Sequence, residues 1–234
     1  MKNKIYQNYF GSKNGSGVYQ QIINQIRPHD VYMELFAGSG AIVQYKKPAA
    51  ETIISDIDEK VYNAWLSSTI DIPNCTVLHG CAIDLLSSFV FLPDVKYCIY
   101  LDPPYPLGSR RSDREVYRHE MTDQQHYDLL TVVRSLPANV DVLISTYENE
   151  IYSEVLHDWR VHSFKAQTRR GPATELLYMN YENETGILHQ YDFLGTDYID
   201  RQRIKRKIDR EIQKLLNLPA TERNAIVSAV LDLA

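Results

Sequence analysis

The chain has 234 residues, 44% of them hydrophobic and 24% charged, which excludes intrinsic disorder and fits one globular domain with room for an appendage. Asp and Glu number 30 against 25 Lys and Arg, so the formal charge is -5 and the pI about 5.8. Any contact with nucleic acid must therefore come from local basic patches.

Met1 to Asn8 is polar, and no later run approaches the roughly 18 apolar residues of a membrane span, so the expectation is a soluble, cytoplasmic protein. Ser16 to Ile26 places Val18, Ile22, Ile23 and Ile26 on one face of a helix. From Val31 to Val140, β-rich runs alternate with helical periods, the pattern of an α/β fold with a mainly parallel sheet. The predicted strands are Val31–Phe36, Thr52–Ser55, Thr76–Leu78, Tyr97–Leu101 and Val140–Thr146. Helices are predicted over Lys60 to Thr69 and over Thr122 to Ser135, the second opened by a Thr-Asp cap and stopped before Pro137. Trp159–Ala166 and Glu175–Tyr181 read as the arms of an antiparallel hairpin, with residues 167–174 as a basic tip. Asp200 to Leu216 carries Ile204, Ile208, Ile212 and Leu215 on one stripe, and Pro219 opens a second helix with Ile226, Val230 and Leu233. The expected division is a catalytic domain over 1–195 and a helical hairpin tail over 196–234.

Cys75, Cys81 and Cys98 form neither a C-x-x-C pair nor an even disulfide set, which predicts reduced, buried thiols. Cys75, His79 and Cys81 do not supply the four ligands of a structural zinc, and no metal is expected.

Two motifs carry chemistry. Glu34-Leu35-Phe36-Ala37-Gly38-Ser39-Gly40 lies where a strand gives way to a helix, and its glycines let the backbone turn sharply and approach a ligand. Position 43 is Val, so this is not the G-x-G-x-x-G dinucleotide fingerprint. Ser55-Asp56-Ile57-Asp58 follows the second strand, where nucleoside-binding sheets present a carboxylate to ribose; either acid can also cap the next helix, Asp58 above all. The second motif, Asp102-Pro103-Pro104-Tyr105, ends the Tyr97–Leu101 strand. An exocyclic amine conjugated to a heteroaromatic ring is a poor nucleophile. Hydrogen bonds from its two N–H groups to the Asp102 carboxylate and the Pro103 carbonyl would draw the nitrogen toward tetrahedral geometry and free its lone pair, while Tyr105 stacks on the base.

These residues, in this order, resemble the Dam-like DNA adenine methylases. The likeness rests on Tyr9-Phe10-Gly11-Ser12-Lys13 (the family's Y-x-G-G-K), on Glu34 to Gly40 (its E-x-F-x-G-x-G), on Asp56, and on Asp102 to Tyr105 (its D-P-P-Y). It extends to Tyr117–Thr122 and Thr174–Tyr181, and Ser12 departs from the usual second glycine. The resemblance implies a Rossmann-like class I methyltransferase fold with S-adenosylmethionine as cofactor. It implies cofactor contacts from Tyr9, Gly11, Lys13, Glu34, Phe36, Gly38, Gly40, Asp56, Ile57, Asp84 and Asp102, and catalysis by Asp102, Pro103 and Tyr105 on the N6 amine of an extruded adenine. The substrate it implies is DNA, with an RNA adenine methyltransferase or a catalytically silent nucleic-acid-binding module of the same fold as alternatives.

Local charge answers the acidic pI. Arg110, Arg111, Arg114 and Arg118 follow the D-P-P-Y, Arg169 and Arg170 sit at the hairpin tip, and residues 201–214 hold seven Lys or Arg against two acids. Arg110, Arg111, Arg118, Arg169 and Arg170 are the candidate nucleic-acid contacts; the 201–214 run serves equally as the solvated face of a helix. Only 43 residues separate Asp58 from Asp102, and the expected strands and helices consume them. No inserted recognition domain fits, so sequence specificity is expected to be low. A homodimer through the apolar stripes of the C-terminal helices is also expected.

Overall fold

The computed structural model describes residues 11–15, 17–110, 114–168 and 171–232. Tyr9, Arg111, Arg169 and Arg170 lie outside the described residues.

The chain divides into two units, Met1–Gln190 and Tyr191–Ala234. The first is built on a seven-stranded sheet of strands β1 (Val31–Glu34), β2 (Glu51–Asp56), β3 (Cys75–His79), β4 (Tyr97–Leu101), β5 (Val140–Thr146), β6 (Arg160–Thr168) and β7 (Gly171–Met179). Their spatial order is β3-β2-β1-β4-β5-β7-β6; the first five are parallel, while β7 runs antiparallel to β5 and to β6. This is the mainly parallel sheet with a C-terminal antiparallel hairpin that the sequence predicts. The order reverses between β1 and β4, so the loops after these two strands diverge and leave a crevice at the carboxyl edge of the sheet.

Every residue of β1, β4 and β5 is buried, as expected for strands covered on both faces. Helices α1 (Val18–Ile23), α2 (Ala41–Tyr45), α3 (Glu59–Leu66), α4 (Ala82–Ser88), α5 (Asp123–Arg134) and α6 (Glu150–Val155) complete the unit. One core cluster joins Met33 and Leu35, Ile99 and Leu101, Val142 and Ile144 to Leu129, Leu130 and Val133 of α5 and Tyr152 of α6. The α5 start is a full capping box: Thr122 accepts from the Gln125 amide, and the Gln125 side chain accepts from the Thr122 amide.

Three expectations are corrected. The hairpin connection is not residues 167–174, because the β6–β7 ladder continues to Thr168 opposite Gly171. Pro172 and its polar neighbours read as a turn, but β5 pairs only with Leu176–Met179, so Pro172 lies where β7 projects past β5 and its missing N–H breaks no bond on that side. Helix α6 was not anticipated; its signal is Asn149, whose side chain caps it by accepting from the Tyr152 amide. Of the three cysteines only Cys98 is fully buried, while Cys75 and Cys81 are half-buried free thiols.

The second unit consists of α7 (Tyr198–Leu216), capped by Asp197, and α8 (Ala220–Leu231), entered at Pro219. Among the described residues no helix is long and apolar enough to cross a membrane.

Candidate active site

A cleft of about 990 Å³, counted to its open mouth, lies over the carboxyl ends of β1, β2 and β4. It is lined by Gly11 to Lys13, by Glu34 to Ala41, by Asp56 to Asp58, by Gly80 to Ile83, and by Tyr100, Asp102, Pro104 and Tyr117 to Met121. The two motifs, 60 or more residues apart in the chain, thus share one opening.

The glycine turn is held from both sides. Asp56 accepts from the Gly38 amide at 2.9 Å with one carboxylate oxygen and from the Asp58 amide at 2.9 Å with the other. Trp65 donates its indole N–H to the Gly38 carbonyl at 3.2 Å. Gly40 has φ 61°, and a Cβ there would collide with the Trp65 ring, so the turn requires glycine for both conformation and space. Asp58 is the α3 cap, accepting from the Lys60 amide. Burial raises the Asp56 pKa, and the two amide bonds oppose that rise.

Glu34, at the end of β1, is buried and accepts from the Tyr32 hydroxyl and the Val43 amide, both at 2.9 Å, which fastens the strand to α2. On the far side of Tyr32 the Lys46 ammonium lies 4.5 Å from the ring centroid.

The N-terminal segment reaches the D-P-P-Y through Lys13. Its ammonium is 2.7 Å from the Asp102 carboxylate, donates to the Tyr105 hydroxyl at 2.9 Å, and lies 3.7 Å from Glu175 of β7. Tyr105 in turn donates to Glu175 at 3.3 Å. The Lys13 and Glu175 side chains are 7% and 8% exposed, whereas Asp102 retains 18%, on the cleft side. Burial works against the Lys13 charge, but the two carboxylates outweigh it and raise its pKa. Burial also raises Asp102, with Lys13 opposing and Glu175 reinforcing the rise. Pro103 and Tyr105 are buried, and Tyr105 meets Tyr147 edge-on at 4.7 Å, so its ring packs inward and its hydroxyl holds Lys13. Glu175 was not a candidate from the sequence; a lone Glu among Leu and Tyr in a predicted buried strand was the available signal.

Ser12 bonds Ser39 of the glycine turn at 2.7 Å through its hydroxyl, and among described residues only Asn74 is a non-glycine with positive φ. The departure from the second glycine therefore carries no backbone strain. Gly11 does need to be glycine: its φ is 77°, and a Cβ would strike the Tyr117 hydroxyl.

Arg110 donates to Glu120 through both terminal nitrogens, at 2.9 and 2.6 Å, and to the Tyr105 carbonyl at 2.6 Å. Glu120 also accepts from the Val116 and Tyr117 amides, which holds Tyr117 to Met121 at the cleft wall. Arg110, 9% exposed, is thus a structural clamp, while Arg118 is 50% exposed at the cleft rim, 3.6 Å from Asp58. Phe36 and Ile57 line the cleft; Asp84 is exposed in the first turn of α4 and is not among the lining residues. Among the described residues no group of three His, Cys, Asp or Glu side chains could hold a metal.

Burial pushes the Glu34 pKa from 4.5 up to about 8, against the hydrogen bonds from Tyr32 and Val43. The folded state therefore holds one proton more than the unfolded chain between these values, and stability falls as pH rises across that window. Glu34→Gln keeps an acceptor for Tyr32 and Val43 and removes the titration. Denaturant melts of both proteins should show the variant gaining stability relative to the wild type from pH 5 to pH 8; a pH-independent difference would contradict the assignment.

No curated protein matches this chain. Among solved structures it is similar to M. capricolum TrmK in complex with S-adenosyl-homocysteine, at 10% identity over 92% of this chain and 94% of that one, with a TM-score of 0.46. It is similar to a dimethyladenosine transferase from Plasmodium falciparum, at 14% identity over 72% and 61% of the two chains and a TM-score of 0.44. A precorrin-6y C5,15-methyltransferase from Geobacter metallireducens gives 10% identity over 75% and 94%, with a TM-score of 0.46. Residues 9–74, from the lysine-bearing segment through the glycine turn and Asp56 to the start of β3, match the family of D12 class N6 adenine-specific DNA methyltransferases.

Proposed function

We propose that this chain transfers a methyl group from S-adenosylmethionine to the N6 amine of adenine in DNA. The observation that carries the reading is the junction of Lys13, inside the D12-matching segment, with Asp102 of the D-P-P-Y at the floor of one cleft. The cleft fits the cofactor: a glycine turn presents backbone rather than side chains, Asp56 lines the cleft beside that turn as the acid for ribose hydroxyls, and Ile57 and Ile83 offer apolar walls to a base. When bound, S-adenosylmethionine supplies an already activated sulfonium methyl, so the protein's task is positioning and electrostatics. Asp102, which keeps part of its side chain open to the cleft beside Lys13, accepts from the target amine, and the Pro103 carbonyl is the acceptor that the resemblance assigns to the second N–H. The loop clamped by Arg110 and Glu120 walls the cleft and limits water.

The segment between Asp58 and Asp102 is consumed by α3, β3, α4 and β4, which leaves no separate reading domain. Base contacts then fall to the loop after the D-P-P-Y, with Arg118, and to the β6–β7 tip, and we expect methylation in many adenine contexts, favoured where the base is easily extruded. Purified protein given duplex DNA, single-stranded DNA and RNA should methylate adenine in DNA at many sites. Asp102→Ala should abolish transfer while cofactor affinity stays within a few-fold, because Asp102 acts on the amine. Transfer to RNA alone, or undiminished turnover in the variant, would overturn the reading.

We further propose that the chain self-associates through its C-terminal helices. Ile208, Ile212 and Leu216 of α7 and Ile226, Val227 and Val230 of α8 are exposed, apolar surface that a second copy would cover. Light scattering at micromolar concentration should give a dimer mass, and a monomer mass would contradict this.

A further inference from the structure

We infer that Glu175 is a positioning residue for the transfer, one that shares the Lys13 ammonium with Asp102 and so gives the site a place for the proton that the substrate amine must release. The inference rests on the methyltransferase reading above and adds the fate of that proton.

The argument is a charge count. When N6 forms its bond to the methyl carbon, the electron pair of the carbon–sulfur bond returns to sulfur, and N6 is left with one proton too many. That proton passes to the hydrogen-bonded Asp102 carboxylate and from there to solvent. An Asp102 neutralised one-to-one by Lys13 at 2.7 Å would be a poor acceptor. Glu175 changes this. It lies 3.7 Å from the same ammonium and accepts from the Tyr105 hydroxyl, which itself accepts from Lys13 at 2.9 Å. Two carboxylates and one ammonium leave the buried cluster with one negative charge in excess, which one proton cancels.

The other groups facing Asp102 do not supply that charge. Glu34, from β1, is held protonated below about pH 8. Tyr100 on β4, Tyr105, Tyr117 from the loop after the D-P-P-Y and Tyr152 from α6 all have pKa values raised by burial, so they stay neutral. Lys13 and Glu175 remain as the charged neighbours. Glu175 is not among the cleft-lining residues, so it acts through Lys13 and Tyr105 and not on the substrate.

The test is the pH profile of single-turnover methyl transfer to DNA by wild type and Glu175→Gln, with cofactor binding measured separately. Removing the like charge makes Asp102 more acidic, so the acid limb of the variant should move to lower pH while its plateau rate falls on the order of tenfold, the equivalent of one pH unit of lost carboxylate basicity. Cofactor affinity should not change. A variant with an unmoved acid limb overturns the inference while the wild-type activity stands; a wild type inactive on every adenine substrate overturns the methyltransferase reading itself. Should the variant fail to fold, carbon-13 titration of the wild-type side chains decides: coupled curves for Asp102 and Glu175 support the inference, and two independent curves overturn it.

Discussion

The site depends on one lysine ammonium held away from water between two carboxylates. Lys13 comes from the segment before α1, Asp102 from the end of β4 and Glu175 from β7, so a single buried charge ties the N-terminal segment to the middle and the far side of the sheet. Such a cluster is weak as a source of net stability, because desolvating the three groups costs about what their attraction returns. Its effect is positional. Removing Lys13 would leave two buried carboxylates without a counter-charge, a cost of about 3–5 kcal/mol, so the arrangement depends on the ammonium.

The same economy of buried polar groups runs through the rest of the cleft. Glu34 and Asp56 are both buried acids whose oxygens accept from backbone amides across a strand end, Val43 for the first and Gly38 with Asp58 for the second. Each fixes the strand-to-helix turn beside it, so the turn is shaped before any ligand arrives. The Arg110–Glu120 pair does the same for the loop after the D-P-P-Y. Pre-organisation of this kind is what a transfer from an activated methyl donor requires, since the reaction gains more from fixed geometry and dipoles than from acid strength.

Strand positions were legible in the sequence because their period and composition are local properties: Tyr97–Leu101 and Val140–Thr146 are strands with the expected bounds. The D-P-P-Y and the glycine turn were legible as motifs, and the sheet order brings them to one edge. What escaped were facts of three-dimensional neighbourhood. Glu175 becomes part of the site only because β7 inserts between β5 and β6, which no local pattern announces. Arg110 looks like a phosphate contact by charge alone, yet Glu120, ten residues on, claims its guanidinium. Asp84 matched by sequence position but faces solvent in α4, and Pro172 disguised a strand as a turn.

The most direct test of the account is the chemical identity of the product. DNA incubated with the protein and methyl-labelled S-adenosylmethionine, then digested to nucleosides and resolved by mass spectrometry, should carry the label on N6 of deoxyadenosine, as a carboxylate and a carbonyl gripping an exocyclic amine require. Label on a ring nitrogen, or on cytosine alone, would contradict the geometry assigned to Asp102 and Pro103.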